Sequence, residues 1–302
     1  MRQPSLILAL GVLLSTIPAL SQESGQSLQG TKTCADINMS FDERPMARSE
    51  QHLTFSLSEA PTLAVGHDED SENSGFHNGG IEVTGWDRDQ YAVTVCKSAA
   101  GETQAEAQQV LGQIQVQRNG GTLTVTGPER NDDAQWNVML LVSAPRSAKL
   151  DLSTHNGPLA VKNMTGGGEL RAQNGPIRLK DSTGDFTVDT HNGPIAFSGT
   201  GGNVKLSAKN GPITVDVSGE QFTGELSGDA KNGPIQLMLP AKFSSGVEVE
   251  NDNAPISCSA DLCQAEGNVW VNGHHIKIGT SNAIIHLTTE HGPVTVQNRK
   301  KL

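Results

Sequence analysis

Apolar and polar residues alternate along most of this chain, and the alternation changes character near residue 150. In the first part, His52 to Leu57, Thr62 to Val65, Gly80 to Trp86 and Tyr91 to Val95 each read as a half-buried strand, because every second residue is apolar. Glu102 to Leu111 instead spaces its apolar residues near a helical period and is rich in Ala, Gln and Glu, which predicts a short helix. Ile114 to Gln117 and Leu123 to Val125 flank Asn119-Gly120-Gly121, a pair of strands around a hairpin turn signal. Val138 to Val142 and Lys149 to Leu152 are two further strands, with Pro145 between them.

After Leu152 the alternation becomes a repeat. Asn156-Gly157-Pro158, Asn174-Gly175-Pro176, Asn192-Gly193-Pro194 and Asn210-Gly211-Pro212 stand 18 residues apart, and Asn232-Gly233-Pro234 follows after a small insertion. Asn253-Ala254-Pro255 continues the series, Asn282 to Ile285 reads as a degraded copy, and His291-Gly292-Pro293 is the last. Half-repeats beginning at Gly184 and Gly202 lie nine residues from the neighbouring corner glycine.

Aligned on Asn, the third following position is Leu159, Ile177, Ile195, Ile213, Ile235, Ile256 and Ile285. The fifth is Val161, Leu179, Phe197, Val215, Leu237, Cys258 and Leu287. The fourth preceding position is Leu152, Leu170, Val188, Leu206, Gly228 and Val249. A period of two places each set on one face of a strand. Two short strands per 18-residue coil then make two facing sheets with the apolar columns between them. At ~4.8 Å per coil, seven or eight coils span roughly 35–40 Å.

The expected fold is all-β: a two-sheeted β-solenoid, or β-helix, with one short helix in its N-terminal part. The Asn-Gly-Pro corners are read as structural. Asn and Gly tolerate the left-handed region, Pro needs no ladder donor, and the Asn side chains can stack as an amide ladder.

Residues 1–21 fit a secretory signal peptide: Arg2 precedes the apolar run Leu6 to Leu14, and Pro18 to Ser21 supplies small residues before Gln22. That run is too short to span a bilayer, no later stretch is long enough, and no cysteine at the cleavage point invites a lipid anchor. The expected organisation is a signal peptide at 1–21, a polar lead-in at 22–50, an N-terminal β-rich part at 51–150 and the repeat solenoid at 151–302. Loss of residues 1–21 removes Arg2 and no acid, which takes the formal charge of −11 one unit further negative. Such acidity disfavours nucleic acid as a partner and suits a soluble exported protein. Cys34, Cys96, Cys258 and Cys263 suit an oxidising compartment, with Cys258–Cys263 as the local bridge and Cys34 left with Cys96.

Gly80 to Asp89, the strand Val138 to Val142 with its Ser143-Ala144-Pro145 exit, and the serial Asn-Gly-Pro-Ile corners resemble the bacterial putative-adhesin domain family over about Leu53 to Val296. The resemblance implies an exported β-solenoid and brings no catalytic residues with it.

Candidate chemistry is sparse. His155 and His191 share a column, but Gln173 lies between them and two coils separate them by ~9.6 Å, too far for one metal ion. His274-His275 is a lone pair. Thr165 to Glu169 is a single Gly-rich turn rather than a calcium-binding repeat, and Asp181, Asp185 and Asp189 straddle a turn. Asp216, Asp229, Glu248 and Glu250 read as scattered acids without a convergent basic partner, and no nucleophile elbow is present. Trp86 to Asp89 reads as an end cover with charges in solvent, and Arg299-Lys300-Lys301 as a guard at the other end. No catalytic residue, cofactor or metal is therefore expected. The expectation is a non-catalytic, exported scaffold or adhesion-type binding protein of the cell envelope, in the periplasm, on the surface or outside the cell, with an envelope glycan or protein as partner. A carbohydrate-active lyase or hydrolase on the same scaffold, and a periplasmic partner-binding protein in envelope signalling, are the rival readings. The breaks in the repeat, the acidic stretch near Asp68 and the insertion after Cys258, are where function is sought.

Overall fold

The computed structural model describes residues 33–37, 41, 44–66, 79–129, 135–264, 269–279 and 282–299. The chain divides into two units, Met1–Thr31 and Lys32–Leu302, and only the second is described. The expected signal peptide, the acidic stretch Asp68 to Asn73, and Lys300 and Lys301 lie outside the described residues.

The N-terminal elements are β1 (Met46–Ser56), β2 (Thr62–Val65), β3 (Gly79–Trp86), β4 (Gln90–Ala100), α1 (Gln104–Gln113), β5 (Gln115–Asn119), β6 (Thr122–Thr126) and β7 (Gln135–Pro145). The repeats supply β8 (Lys149–Thr154), β9 (Leu159–Lys162), β10 (Gly168–Ala172), β11 (Ile177–Lys180), β12 (Asp185–Asn192), β13 (Ile195–Gly199), β14 (Gly201–Asn210), β15 (Ile213–Val217), β16 (Thr223–Asn232) and β17 (Ile235–Leu239). The C-terminal elements are β18 (Gly246–Asn251), β19 (Ile256–Cys258), β20 (Val269–Asn272), β21 (His275–Ile278), β22 (Ala283–His291) and β23 (Val294–Asn298).

They form two sheets, one ordered β1-β4-β7-β3-β9-β11-β13-β15-β17-β23-β19 and the other β20-β21-β18-β22-β16-β14-β12-β10-β8-β2-β6-β5. This is an all-β, two-sheeted solenoid with one α-helix among the described residues. Parallel pairing puts Leu159, Ile177, Ile195, Ile213 and Ile235 in one column, each beside the next. Leu152, Leu170, Val188, Leu206 and Gly228 form the facing column. All of the apolar members are buried. Each Ile or Leu so placed contributes ~1.5–3 kcal/mol, but only once neighbouring coils exclude water. The sheets run through residue 150, since β2 pairs with β8 and β3 with β9.

The corners are held differently from the turn chemistry expected of Asn-Gly. Neither the Asn nor the first five corner glycines adopt positive φ; among the corner residues only Gly292 does. What demands glycine is the coil below. A Cβ on Gly175, Gly193, Gly211 or Gly233 would stand 2.0–2.2 Å from the carbonyl oxygen of the preceding corner glycine. Positive φ belongs to the opposite corner, at Gly184 (118°), Gly202 (113°) and Gly224 (100°). Each corner proline lacks a donor yet accepts: Ile177 N–H donates to Pro194 O at 2.9 Å and Ile195 N–H to Pro212 O at 2.9 Å. The Asn side chains form a continuous ladder. Asn174 donates to Asn156 (2.8 Å), Asn192 to Asn174 (2.7 Å), Asn210 to Asn192 (2.8 Å) and Asn232 to Asn210 (3.0 Å).

The coils do not stack in sequence order at the C-terminal end. Strands β22 and β23 insert between the Asn232 coil and the Asn253 coil, so Ile235 and Ile256 both pair with Val294. Ile285 pairs with Leu226, and Leu287 with Gly228, in the other sheet. The column placement of Ile285 and Leu287 beside Ile256 and Cys258, and the reading of Asn282 to Ile285 as a corner copy, are corrected accordingly. The cause is volume: Gly228 leaves a gap, and a Cβ there would stand 2.7 Å from Leu287 Cδ2. The last rung of the Asn ladder is likewise followed by His291, which pairs with Asn232.

Both ends are covered. Helix α1 begins with a capping box, in which Thr103 accepts from Glu106 N–H at 3.2 Å. Its Ala107, Val110 and Leu111 join the main core, and the helix lies against β4 and the edge strand β1. Strand β1 begins at Met46, inside the stretch read as polar lead-in, because pairing with β4 holds it where its own apolar content does not. Cys34 is bonded to Cys96 (Cα–Cα 5.4 Å), which lies with Leu141, Ile37 and Met139 in a small cluster separate from the main core. At the other end Cys258 is bonded to Cys263 (Cα–Cα 6.1 Å) beside a short 3-10 turn at Asp261–Gln264. The edge strands there, β19 and β20, have three and four residues, too short to template further pairing.

Candidate functional site

Alternation leaves every second side chain of the second sheet pointing away from the core. Register joins these into two rows. One runs Asp151, Glu169, Thr187, Lys205, Ser227, His286 and Glu248, and the other Ser153, Arg171, Asp189, Ser207, Asp229, Thr288 and Glu250. Neighbours are tied together between the rows, Arg171 to Asp151 (3.1 Å) and to Glu169, and along one of them, Thr288 to Asp229 (2.8 Å). The face is polar and mixed in charge.

At one side of this face the row residues border a groove of about 610 Å3, lined by Thr62, Lys149, Asp151, Glu169, Asp185, Phe186, Thr187, Asn203 and Lys205. Two lysines, three carboxylates and the amide of Asn203, which donates to Asp185 at 2.8 Å, surround the start of β8, β10, β12 and β14. Such a lining can hydrogen-bond hydroxyls and amides of an extended ligand without favouring one charge.

At the other end of the same face, side chains from three adjacent strands converge. Glu248 lies on β18 directly beside His286 of β22, and Glu250 lies directly opposite His275 of β21. His275 Nε2 is 3.0 Å from Glu248 Oε1, and His286 Nδ1 is 3.5 Å from Glu248 Oε2. The reading of Glu248 and Glu250 as acids without a basic partner is thereby corrected. It failed because the partners come from strands 27 and 38 residues further along the chain. The only trace in the sequence was the i, i+2 spacing of the two glutamates.

The other sequence candidates are dispersed. Asp216 sits on the first sheet and accepts from Arg299 Nε at 2.6 Å, so the arginine of the expected end guard is held against β15. Asp229 shares the outer face with Glu248 and Glu250, but Thr288 separates it from Glu250. His155 and His191 stand on the rim with Gln173 on the coil between them. Trp86 donates to Gln90 O at 2.7 Å and is covered by Arg88, 4.7 Å above its ring. The buried groups with shifted protonation lie in the N-terminal part. Burial pushes Tyr91 up to about 12 while its hydroxyl donates to Ala60 O at 2.8 Å, and burial lowers Lys97, whose ammonium donates to Ile114 O at 3.2 Å. Among the described residues, no helix is long and apolar enough to cross a membrane.

The family described as Toastrack DUF4097 matches residues 62–297. Solved structures similar to this chain include a putative cell adhesion protein from Clostridium sporogenes, at 10% identity over 84% of this chain and 100% of that one, with a TM-score of 0.34. A putative adhesin from Bacteroides fragilis shares 11% identity over 83% of this chain and 97% of that one, with a TM-score of 0.41. A putative lipid binding protein from Parabacteroides distasonis shares 9% identity over 83% and 97%, with a TM-score of 0.28. No curated protein matches the chain.

Proposed function

The chain belongs to the Toastrack DUF4097 family, and from that premise we propose that it is a non-catalytic, exported binding protein of the cell envelope that recognises an extended glycan along the outer face of its second sheet. The observation that carries this reading is the pair of polar rows running from the 610 Å3 groove across seven strands. Consecutive strands repeat at ~4.8 Å, so the face offers a regular series of donors and acceptors to a polymer lying across them. The mixed charge suits a ligand rich in hydroxyls rather than a polyanion.

Export rests on residues 1–21 acting as a signal peptide, ahead of a polar lead-in that ends where β1 begins at Met46. Two disulfides support an oxidising compartment outside the cytoplasm. The test is a glycan array with purified protein, paired with a polysaccharide-degradation assay. Binding that weakens in the groove variants Lys205→Ala and Asn203→Ala supports the proposal. Depolymerisation of any bound polysaccharide would sink it in favour of an enzyme, and binding unaffected by both variants would move the ligand elsewhere.

A further inference from the structure

We propose that Glu248, Glu250 and His275 form a binding site for a divalent transition-metal ion of the zinc class, with His286 holding the first of these carboxylates in place. One ligand atom from each of the three residues lies within 4.8 Å of the others. Ligands at ~2.1 Å around a tetrahedral ion are ~3.4 Å apart, so the widest pair needs to close by at most about 1.4 Å while His275 Nε2 and Glu248 Oε1, now 3.0 Å apart, open slightly. Side-chain rotation supplies that much without moving the backbone.

The backbone already supplies the arrangement. Glu248 and Glu250 stand two residues apart on β18 and therefore share a face. Antiparallel pairing sets His275 opposite Glu250, and parallel pairing sets His286 beside Glu248. Strand β18 is fixed on both sides, by β21 and β22, so the site is carried by a sheet rather than a loop. Glu248 is bracketed by two imidazoles, one on each oxygen. The His286 contact would orient the carboxylate, as outer partners do around metal centres, while the ion would replace the hydrogen now shared between His275 Nε2 and Oε1.

The donor set chooses the metal. Two carboxylates and one imidazole suit zinc and its neighbours, whereas calcium takes six to eight oxygens and magnesium keeps its waters. The side chains of His275 and Glu248 are 26% and 29% exposed, so an ion can enter and a water can complete its shell. Lys277 stands opposite Glu248 across the β18–β21 pair, and the ion must compete with its charge for that carboxylate. The ordinary alternative is a surface ion pair between His275 and Glu248, worth little and indifferent to metals.

The experiment is isothermal titration of the tag-free, oxidised full chain with zinc chloride, with calcium and magnesium chloride as comparisons. The expected result is one zinc per chain at micromolar affinity and at least tenfold weaker calcium and magnesium binding. Glu250→Gln and His275→Ala should each weaken zinc at least tenfold, His286→Ala should weaken it less, and His155→Ala should leave it unchanged. Glu250 is exposed, so Glu250→Gln keeps the fold, which a matching circular dichroism spectrum verifies. No zinc uptake, uptake undiminished in Glu250→Gln, calcium binding as tight as zinc, or an equal loss in His155→Ala would overturn the proposal.

Discussion

Replacing Gly193 with alanine puts a methyl carbon 2.2 Å from the carbonyl oxygen of Gly175 and 3.2 Å from Thr190 Oγ1. Non-bonded atoms pack best at ~3.5–4 Å, so the two coils must part by more than about 1 Å at that corner. The opening strains two bonds between those coils, Ile177 N–H to Pro194 O (2.9 Å) and the Asn192 amide to Asn174 (2.7 Å). Each is worth about 0.5–1.5 kcal/mol net, and forced overpacking adds about 1–3. The expected loss is about 2–6 kcal/mol. Gly211→Ala should behave alike, since its Cβ would stand 2.0 Å from Gly193 O. Two other glycines separate the causes. Gly120 has φ +58° with nothing near its Cβ, so alanine there pays only for backbone conformation, about 1–2 kcal/mol. Gly112 lies in α1 with open space beside it, so alanine should stabilise by about 0.5–1 kcal/mol. Urea unfolding of the oxidised protein, followed by the fluorescence of buried Trp136, measures all four. If Gly193→Ala costs less than Gly120→Ala, contact between coils is not what selects glycine at the corner.

The out-of-order coil predicts coupling between distant residues. Gly228→Ala should destabilise by about 1–3 kcal/mol through its contact with Leu287. Leu287→Ala should relieve that cost in a double-mutant cycle with at least ~0.5 kcal/mol of coupling, and strict additivity would refute the insertion of β22 beside β16. Tyr91, the chain's single tyrosine, has a folded pKa of about 12 against 10.0. Its contribution, up to about 3 kcal/mol, is therefore fully present below pH 10 and lost as pH rises through about 12. Denaturation at several alkaline pH values checks this, and Tyr91→Phe losing stability in parallel with the parent would count against it. The Cys34–Cys96 bridge closes a separation of 62 residues and Cys258–Cys263 one of five, so removing them should cost about 4 and about 2 kcal/mol respectively. Urea midpoints of the paired alanine variants give the order, which a larger loss at the short loop would reverse.

The register of the repeats was legible because spacing encodes it. With corners 18 residues apart, Leu159, Ile177, Ile195 and Ile213 have only one economical way to bury together, and they are so paired. The amide ladder from Asn156 to Asn232 follows from the same spacing. Other features were not local properties. Ala283 to Leu287 alternates equally well for either sheet, and only the gap at Gly228 and the fit of Leu287 decide between them. The corner glycines pointed to positive φ when considered alone, whereas their constraint arises from the next coil. Glu248 and His286 become neighbours only because β22 inserts beside β18, a pairing no spacing within either segment reveals.

That insertion also explains why the metal-site geometry arises at this end of the face. Along β8 to β16 each coil places the same sequence position above the last, so a row presents one residue per strand at a fixed spacing. A parallel array of this kind spreads donors evenly, which suits a long ligand and gives a compact ion few ligands at once. At β18 the order breaks: one neighbour arrives from further along the chain in parallel, the other folds back antiparallel. Antiparallel pairing offsets the side chains of β21, so His275 reaches diagonally to Glu248 while facing Glu250. Two kinds of pairing on one strand thus gather three ligand atoms within 4.8 Å. The regular coils and the irregular end therefore suit different ligands, a polymer across the rows and an ion where the rows are cut.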